Sequence, residues 1–131
     1  MGDRISTFLM FGGNAEEALT LYETLFDDVE VVSIERYGPG TRGREGTVRQ
    51  ANWILGGQSF IAIDSSADQP FGFTPSMSLF IKCRDDAEIE KLFAALSEDG
   101  AVLMPLGDHG FSKRFGWVSD RFGVSWQLNL E

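Results

Sequence analysis

One cysteine and one histidine in 131 residues leave little of the side-chain chemistry that most often marks a catalytic or metal centre. Cys83, standing alone, can form no intrachain disulfide and no cysteine-based zinc site, which suits a reducing cytoplasm. It closes an apolar strand face and so reads as a buried thiol, not a nucleophile. His109 lies in Leu106-Gly-Asp-His-Gly110, just after a proline, and reads as a solvated loop residue. Positive charge is scarce as well: 11 Lys and Arg against 20 Asp and Glu give a net charge of −9. Nucleic acids and anionic membrane surfaces are bound through basic patches, so neither is expected as a partner. No apolar run approaches the roughly 18 residues of a membrane span. The opening Met1-Gly-Asp-Arg4 leads into a strand without a signal-peptide core, so a cytoplasmic location is expected.

What is present is a pattern used twice. Ile5 to Gly12 alternates, with Thr7, Leu9 and Phe11 on one face and Phe8 and Met10 on the other. Asn14, with Glu17 three residues on, has the spacing of a capping box. Ala15, Ala18, Leu19, Tyr22, Leu25 and Phe26 then recur at helical spacing. Val29 to Tyr37, Thr47 to Leu55 and Ser59 to Asp64 read as strands, the last two joined at Gly56-Gly57, a hairpin signal. The second half follows the same order. Met77 to Cys83 is a strand, and Asp85-Asp86 open a helix striped with Ile89, Leu92, Phe93 and Leu96 that Gly100 stops. Ala101 to Met104 is a short strand before Pro105. Phe115 to Ser119 and Val124 to Leu130 form a hairpin through Asp120-Arg-Phe-Gly123. Each half is strand, helix, three strands, and Trp53 and Trp117 occupy matching places. The expected fold is α+β: a single domain of two βαβββ modules, about 1–73 and 74–131, joined around Phe71-Gly-Phe-Thr-Pro75.

Two such modules in about 130 residues resemble the vicinal-oxygen-chelate superfamily, which includes glyoxalase I. The chain is most similar to its PhnB-like branch, which carries the 3-demethylubiquinone-9 3-methyltransferase label. The resemblance rests on Phe11-Gly-Gly-Asn-Ala-Glu-Glu-Ala18 with Tyr22, on Phe60-Ile-Ala-Ile-Asp64, on Met104-Pro-Leu106, and on Phe115-Gly-Trp-Val-Ser-Asp-Arg-Phe-Gly-Val-Ser-Trp-Gln127. It implies a glyoxalase-like curved sheet with a concave pocket and a homodimer. It implies little about substrate, because a fold does not fix a function.

Metal-dependent members of that superfamily hold a divalent ion with His, Gln and Glu from the first and last strands of each module. Carried over through the strand alternation, those positions become Thr7, Ile61, Ser78 and Gln127. In the closing strand Val124, Trp126, Leu128 and Leu130 fall on one face, so Ser125, Gln127 and Asn129 face the pocket. Two hydroxyls and an amide, with no carboxylate or imidazole, do not suit a divalent ion. The expectation is no metal and no cofactor, with a neutral or weakly polar small molecule in an aromatic pocket. Trp53, Trp117 and Gln50 join the four as expected ligand contacts. Relatives often have histidine where Gln50 stands.

Catalytic residues are not identifiable. A metal-dependent lyase or dioxygenase and the methyltransferase of the family label are the alternative readings. Asp64, at a strand end, reads as solvated. Gly38-Pro-Gly-Thr-Arg-Gly43 matches a dinucleotide spacing, but a strand follows where that motif needs a helix. It reads as a loop.

Overall fold

The computed structural model describes residues 4–131. Met1, Gly2 and Asp3, read above as a lead into the first strand, lie outside them. The chain divides after Gly72 into two compact units.

The first unit runs β1 (Thr7–Phe11), α1 (Ala15–Leu25), β2 (Val29–Arg36), β3 (Val48–Leu55) and β4 (Gln58–Asp64). Its sheet has the order β1-β4-β3-β2, with β1 parallel to β4 and the other pairs antiparallel. The β3–β4 connection is Gly56-Gly57, both at positive φ (58° and 82°), the backbone a tight two-residue hairpin demands. One sheet face carries Leu9, Phe11, Ala51, Trp53, Leu55, Phe60 and Ala62, all buried. Helix α1 supplies the complementary stripe of Ala15, Ala18, Leu19, Tyr22 and Leu25. At the centre the Trp53 ring stacks on Phe60 at 4.4 Å and on Tyr22 at 5.8 Å. Each such ring contributes roughly 1.5–3 kcal/mol through burial alone.

The second unit repeats the plan: β5 (Ser78–Lys82), α2 (Asp86–Ser97), β6 (Ala101–Gly107), β7 (Arg114–Ser119) and β8 (Ser125–Leu130), in the order β5-β8-β7-β6. Ile89, Leu92 and Leu96 of α2 pack with Val118, Trp126 and Leu128, all buried.

Local signals failed at three places, each for a physical reason. Asn14 occupies the N-cap of α1 but makes no side-chain cap hydrogen bond. The cap comes from the far end of the module: Asp64 Oδ1 accepts from Gly13 N at 2.8 Å and Ala15 N at 3.0 Å, and Oδ2 from Val48 N at 2.8 Å. Asp64 is therefore 1% exposed, not a solvated strand end. Helix α2 does carry its own cap, with Asp85 accepting from Glu88 N and Glu88 from Arg84 N. Its stop is not a left-handed glycine: Asp99 takes the positive φ, at 58°, and Gly100 is required for close packing. Finally, β6 runs through Pro105 to Gly107. It is an edge strand with two register irregularities, the setting in which a strand tolerates proline.

Candidate functional site

The helices cover one face of each sheet, and the candidate site lies on the other. In the second module the cross-strand register fixes the layout of that helix-free face. Ser78, Ser125 and Ser119 form one row; Phe80, Gln127 and Trp117 the next; Lys82, Asn129 and Phe115 the third. The side chains of the first two rows are linked. Trp117 Nε1 donates to Ser125 Oγ at 2.8 Å, the Ser125 and Ser78 hydroxyls are 2.6 Å apart, and Gln127 Nε2 donates to Ser78 Oγ at 3.3 Å. Ser78 Oγ in turn donates to the Pro75 carbonyl at 3.4 Å. Beside the third row the His109 ring stacks with Phe111 at 6.3 Å and meets the edge of Phe115 at 6.2 Å. His109 is exposed, and its Nε2 lies 2.8 Å from the Pro105 carbonyl oxygen, to which it donates.

The first module carries a related face whose polar groups are placed differently. Ser6 and Ser59 hydroxyls are 2.7 Å apart across the parallel pair β1–β4, as Ser78 and Ser125 are across β5–β8. Matching the two serine pairs aligns Phe8 with Phe80, Ile61 with Gln127, Met10 with Lys82 and Ile63 with Asn129. On these two strands polar groups of the second module stand where the first has apolar ones, whereas on the neighbouring strand the order reverses, Asn52 and Gln50 matching Trp117 and Phe115.

This alignment relocates two of the expected contacts. The counterpart of Ser78 is Ser6. Thr7 lies one residue on, in register with Phe60 and on the helix-covered face with Leu9 and Phe11. A one-residue step along a strand reverses the face. Trp53 likewise does not match Trp117. It is 1% exposed on the helix side, whereas Trp117 pairs with Gln127 on the helix-free side, where Asn52 is its true counterpart. Among the described residues the Trp53 Nε1 has no hydrogen-bond partner. Ile61 and Gln50 do lie on the helix-free face of the first module, Gln50 donating to Asn52 Oδ1 at 3.4 Å. The structure therefore brings together Ser78, Trp117 and Gln127. Sequence reasoning left out Ser125 and Asn129 as contacts, although the alternation of the closing strand put both on the face of Gln127.

The four superfamily metal positions can be tested against these contacts. Thr7 faces the helix, Ile61 offers no donor atom, Ser78 Oγ is engaged with Ser125, and Gln127 is neutral. A divalent ion needs anionic or imidazole ligands to offset its dehydration, so this set does not fit one. Among the described residues no three His, Cys, Asp or Glu side chains cluster as ligands. A dinucleotide or phosphate cradle is also missing where the glycine spacing suggested one. Residues 38–43 lead into β3, and Gly43 packs on the Tyr37 ring. The N-terminus of α1, the usual anion site, is already taken by the Asp64 carboxylate.

Cys83 is buried, and burial first, then the nearby Glu88 carboxylate, push its thiol up to about 11. Against the usual value near 9 this lowers the thiolate fraction about a hundredfold at pH 8. Iodoacetamide is expected to alkylate the folded protein at least a hundredfold more slowly than free cysteine at that pH. A rate within tenfold would contradict the burial. The sign for stability follows. Because the folded value is raised, the contribution is fully present below pH 9 and is lost as pH climbs toward 11.

Two βαβββ units of this topology make a glyoxalase-like fold, and a glyoxylase/bleomycin resistance protein/dioxygenase domain from Frankia sp. EAN1pec shares it at 14% identity, with a TM-score of 0.66 over 99% of this chain and 98% of that one. Sequence similarity narrows the match to a family. The family described as 3-demethylubiquinone-9 3-methyltransferase matches residues 3–129, and the chain belongs to it, as a PhnB-like member. A PhnB protein from Bacillus cereus, carrying the same methyltransferase description, is 53% identical, with a TM-score of 0.95 over 98% of this chain and all of that one. Protein PA1353 from Pseudomonas aeruginosa is 30% identical, with a TM-score of 0.85 over 99% and 98% of the two chains. Among the described residues no helix is long and apolar enough to cross a membrane.

Proposed function

We propose that the helix-free face of the second module binds a small, neutral or weakly polar organic molecule, and that it does so without a metal ion. One observation carries this reading. A duplicated fold places apolar side chains at Met10, Ile61 and Ile63 and polar ones at the matching Lys82, Gln127 and Asn129. Of these Asn129 is buried and Gln127 half-buried, positions where a polar group costs more than an apolar one unless it finds a partner. A shared scaffold gives no folding reason for one copy to carry them and the other not. The aromatic neighbours Phe80, Trp117 and Phe115 supply the apolar part of such a site.

The network supports binding better than catalysis. Among the described residues Ser78 and Ser125 meet only each other, an amide, an indole and a carbonyl, so none of these stands ready as a base to take a proton from either hydroxyl. The methyltransferase reading enters through the family description alone, and calorimetric titration with S-adenosylmethionine checks it: binding heat saturating at one site would favour it over ours.

The main test is thermal shift against a panel of neutral aromatic and quinone-like compounds. A ligand at about one hundred times its Kd should stabilise the protein by roughly 2.7 kcal/mol. Gln127→Ala is expected to abolish that stabilisation while leaving the unliganded midpoint nearly unchanged, since the side chain is only half-buried. Absence of a shift from every compound, or an undiminished shift in the variant, would count against the proposal.

A further inference from the structure

Not every polar group on this face is free to meet a ligand. Ser125 Oγ accepts from Trp117 and is bonded to Ser78; Ser78 Oγ accepts from Gln127 and donates to Pro75. Both hydroxyls are committed inside the protein. Gln127 spends one N–H on Ser78, and its Oε1 has no hydrogen bond among the described residues. Asn129 stands apart from the network. It is 9% exposed, its backbone carbonyl accepts from Cys83 N at 2.7 Å, and its side-chain amide makes no hydrogen bond among the described residues. Its amide atoms are not sealed from solvent, for Trp53 Nε1 is the one fully buried side-chain polar atom without a partner among the described residues, so the Asn129 amide is open to a ligand on this face.

The two amides are two residues apart on β8, on one face, roughly 7 Å from each other at strand spacing. Aromatic rings flank them: Phe80 and Trp117 on either side of Gln127, and Phe115 beside Asn129. The Phe115 ring is itself braced by Phe111 at 5.0 Å and by His109. Lys82 lies on the other side of Asn129 and is exposed to solvent.

The geometry points to Asn129 as a second ligand-reading residue beside Gln127, and to a flat, uncharged ligand with a hydrogen-bond donor at one end and a donor–acceptor group at the other. This rests on the small-molecule reading above and narrows it. Gln127 Oε1 can only accept, so the ligand must present an O–H or N–H there. Asn129 offers both a carbonyl and an N–H pair, which a primary amide or a hydroxyl complements. A carboxylate in place of the donor–acceptor group has only acceptors and would leave the Asn129 side-chain carbonyl unsatisfied. The exposed Lys82 does not reverse that, since its ammonium keeps its water.

Three probes separate these claims: 4-hydroxybenzamide, its donor-free analogue 4-methoxy-N,N-dimethylbenzamide, and the charged 4-hydroxybenzoate. Binding is followed by tryptophan fluorescence, with side-chain amide NMR signals of Asn129 and Gln127 as the local readout. The expected result is that 4-hydroxybenzamide binds at least tenfold more tightly than either of the others and shifts both amide signals. Asn129→Leu, with the same branching, should weaken it at least tenfold while leaving the urea midpoint nearly unchanged, because the amide makes no hydrogen bond among the described residues. A purely structural asparagine would move both quantities downward together. Should Asn129→Leu fold poorly, Asn129→Ser serves the same purpose. Equal binding of all three probes, tighter binding of 4-hydroxybenzoate, or undiminished binding in the variants would overturn this inference and leave small-molecule binding standing. No binding of any probe, together with an empty thermal-shift panel, would overturn both.

Discussion

Asp64→Ala should cost about 4 kcal/mol of folding stability, although the residue touches no candidate ligand position. Its carboxylate is 1% exposed and receives three backbone N–H groups: Gly13 and Ala15 at the start of α1, and Val48 at the start of β3. Truncation strands all three donors where the protein has no substitute acceptor, and each stranded buried donor costs roughly 1–3 kcal/mol. Water entering the vacated space recovers part, which keeps the total near the lower end of the sum. For a domain with a total stability of about 5–15 kcal/mol that is a large share. Asp64→Asn should cost about half as much, because one oxygen can still accept while the new NH2 group must face a donor. The contrasting variant is Asn14→Ala. An N-cap asparagine usually contributes about 1 kcal/mol, but Asn14 makes no cap hydrogen bond, so a change below about 0.5 kcal/mol is expected. Urea unfolding with unchanged m-values measures all three. Equal losses at Asn14 and Asp64 would show that the cap is local after all.

The same residue explains which parts of this protein its sequence discloses. Periodicity located both helices and nearly every strand, because burial of one face imposes it directly on the chain. The closing strand is the clearest case, where Trp126 and Leu128 are fully buried and Gln127 faces the other way. Contacts between distant segments were not legible. Asn14 and Glu17 have the spacing of a cap, but a carboxylate 50 residues downstream of Asn14 does the work, and no local pattern announces it. The assignment of Thr7 failed for a related reason. Alternation in β1 divides its residues into two sets and cannot say which set faces the helix; only the pairing with β4 decides, and it puts Thr7 beside Phe60. The serine pairs Ser6–Ser59 and Ser78–Ser125 would have supplied the register, had either pair been read as a contact. Trp53 and Trp117 were misaligned by the same one-residue step. Of the candidate site, Ser78 and Gln127 were legible because apolar neighbours on both sides in sequence fix their face, whereas β7 carries apolar residues on both faces and the match of Trp117 to Trp53 did not hold.

The resulting asymmetry bears on mechanism. Both modules keep the serine pair and the phenylalanine after it, Phe8 and Phe80, which argues that these maintain the sheet. The departures from symmetry, at Gln127, Asn129 and Lys82 and, in the opposite sense, at Trp117 and Phe115, are not required by the shared scaffold. Substitutions that restore the first module's residues, such as Gln127→Ile, therefore suit the fold while removing the proposed recognition groups.

The second large effect is expected at Gly100, where Gly100→Ala should destabilise by about 3–4 kcal/mol. A Cβ there would overlap the Ser119 carbonyl oxygen and lie 3.0 Å from the Asp120 carbonyl carbon, both backbone atoms. Overpacking usually costs about 1–3 kcal/mol because neighbours shift to make room. Here the neighbour is pinned. Asp120 N donates to Val124 O at 2.8 Å and Gly123 N to Asp120 O at 2.9 Å. The Asp120 carboxylate, 3% exposed, accepts from Phe122 N, Val124 N and Trp126 Nε1. Moving Ser119 and Asp120 away from a new methyl group would disturb that whole turn and the buried Trp126 with it. Gly116→Ala provides the comparison. Its Cβ would approach Phe93 Cδ2 at 2.7 Å, but a side-chain ring can swing, so about 1–2 kcal/mol is expected. Coupling to the turn is testable directly. In the double variant Gly100→Ala/Asp120→Ala the two losses should fall short of additivity by at least about 1 kcal/mol, because a turn already loosened can yield to the methyl group. Full additivity, or a Gly100→Ala loss no larger than that of Gly116→Ala, would show that the end of β7 is free to move.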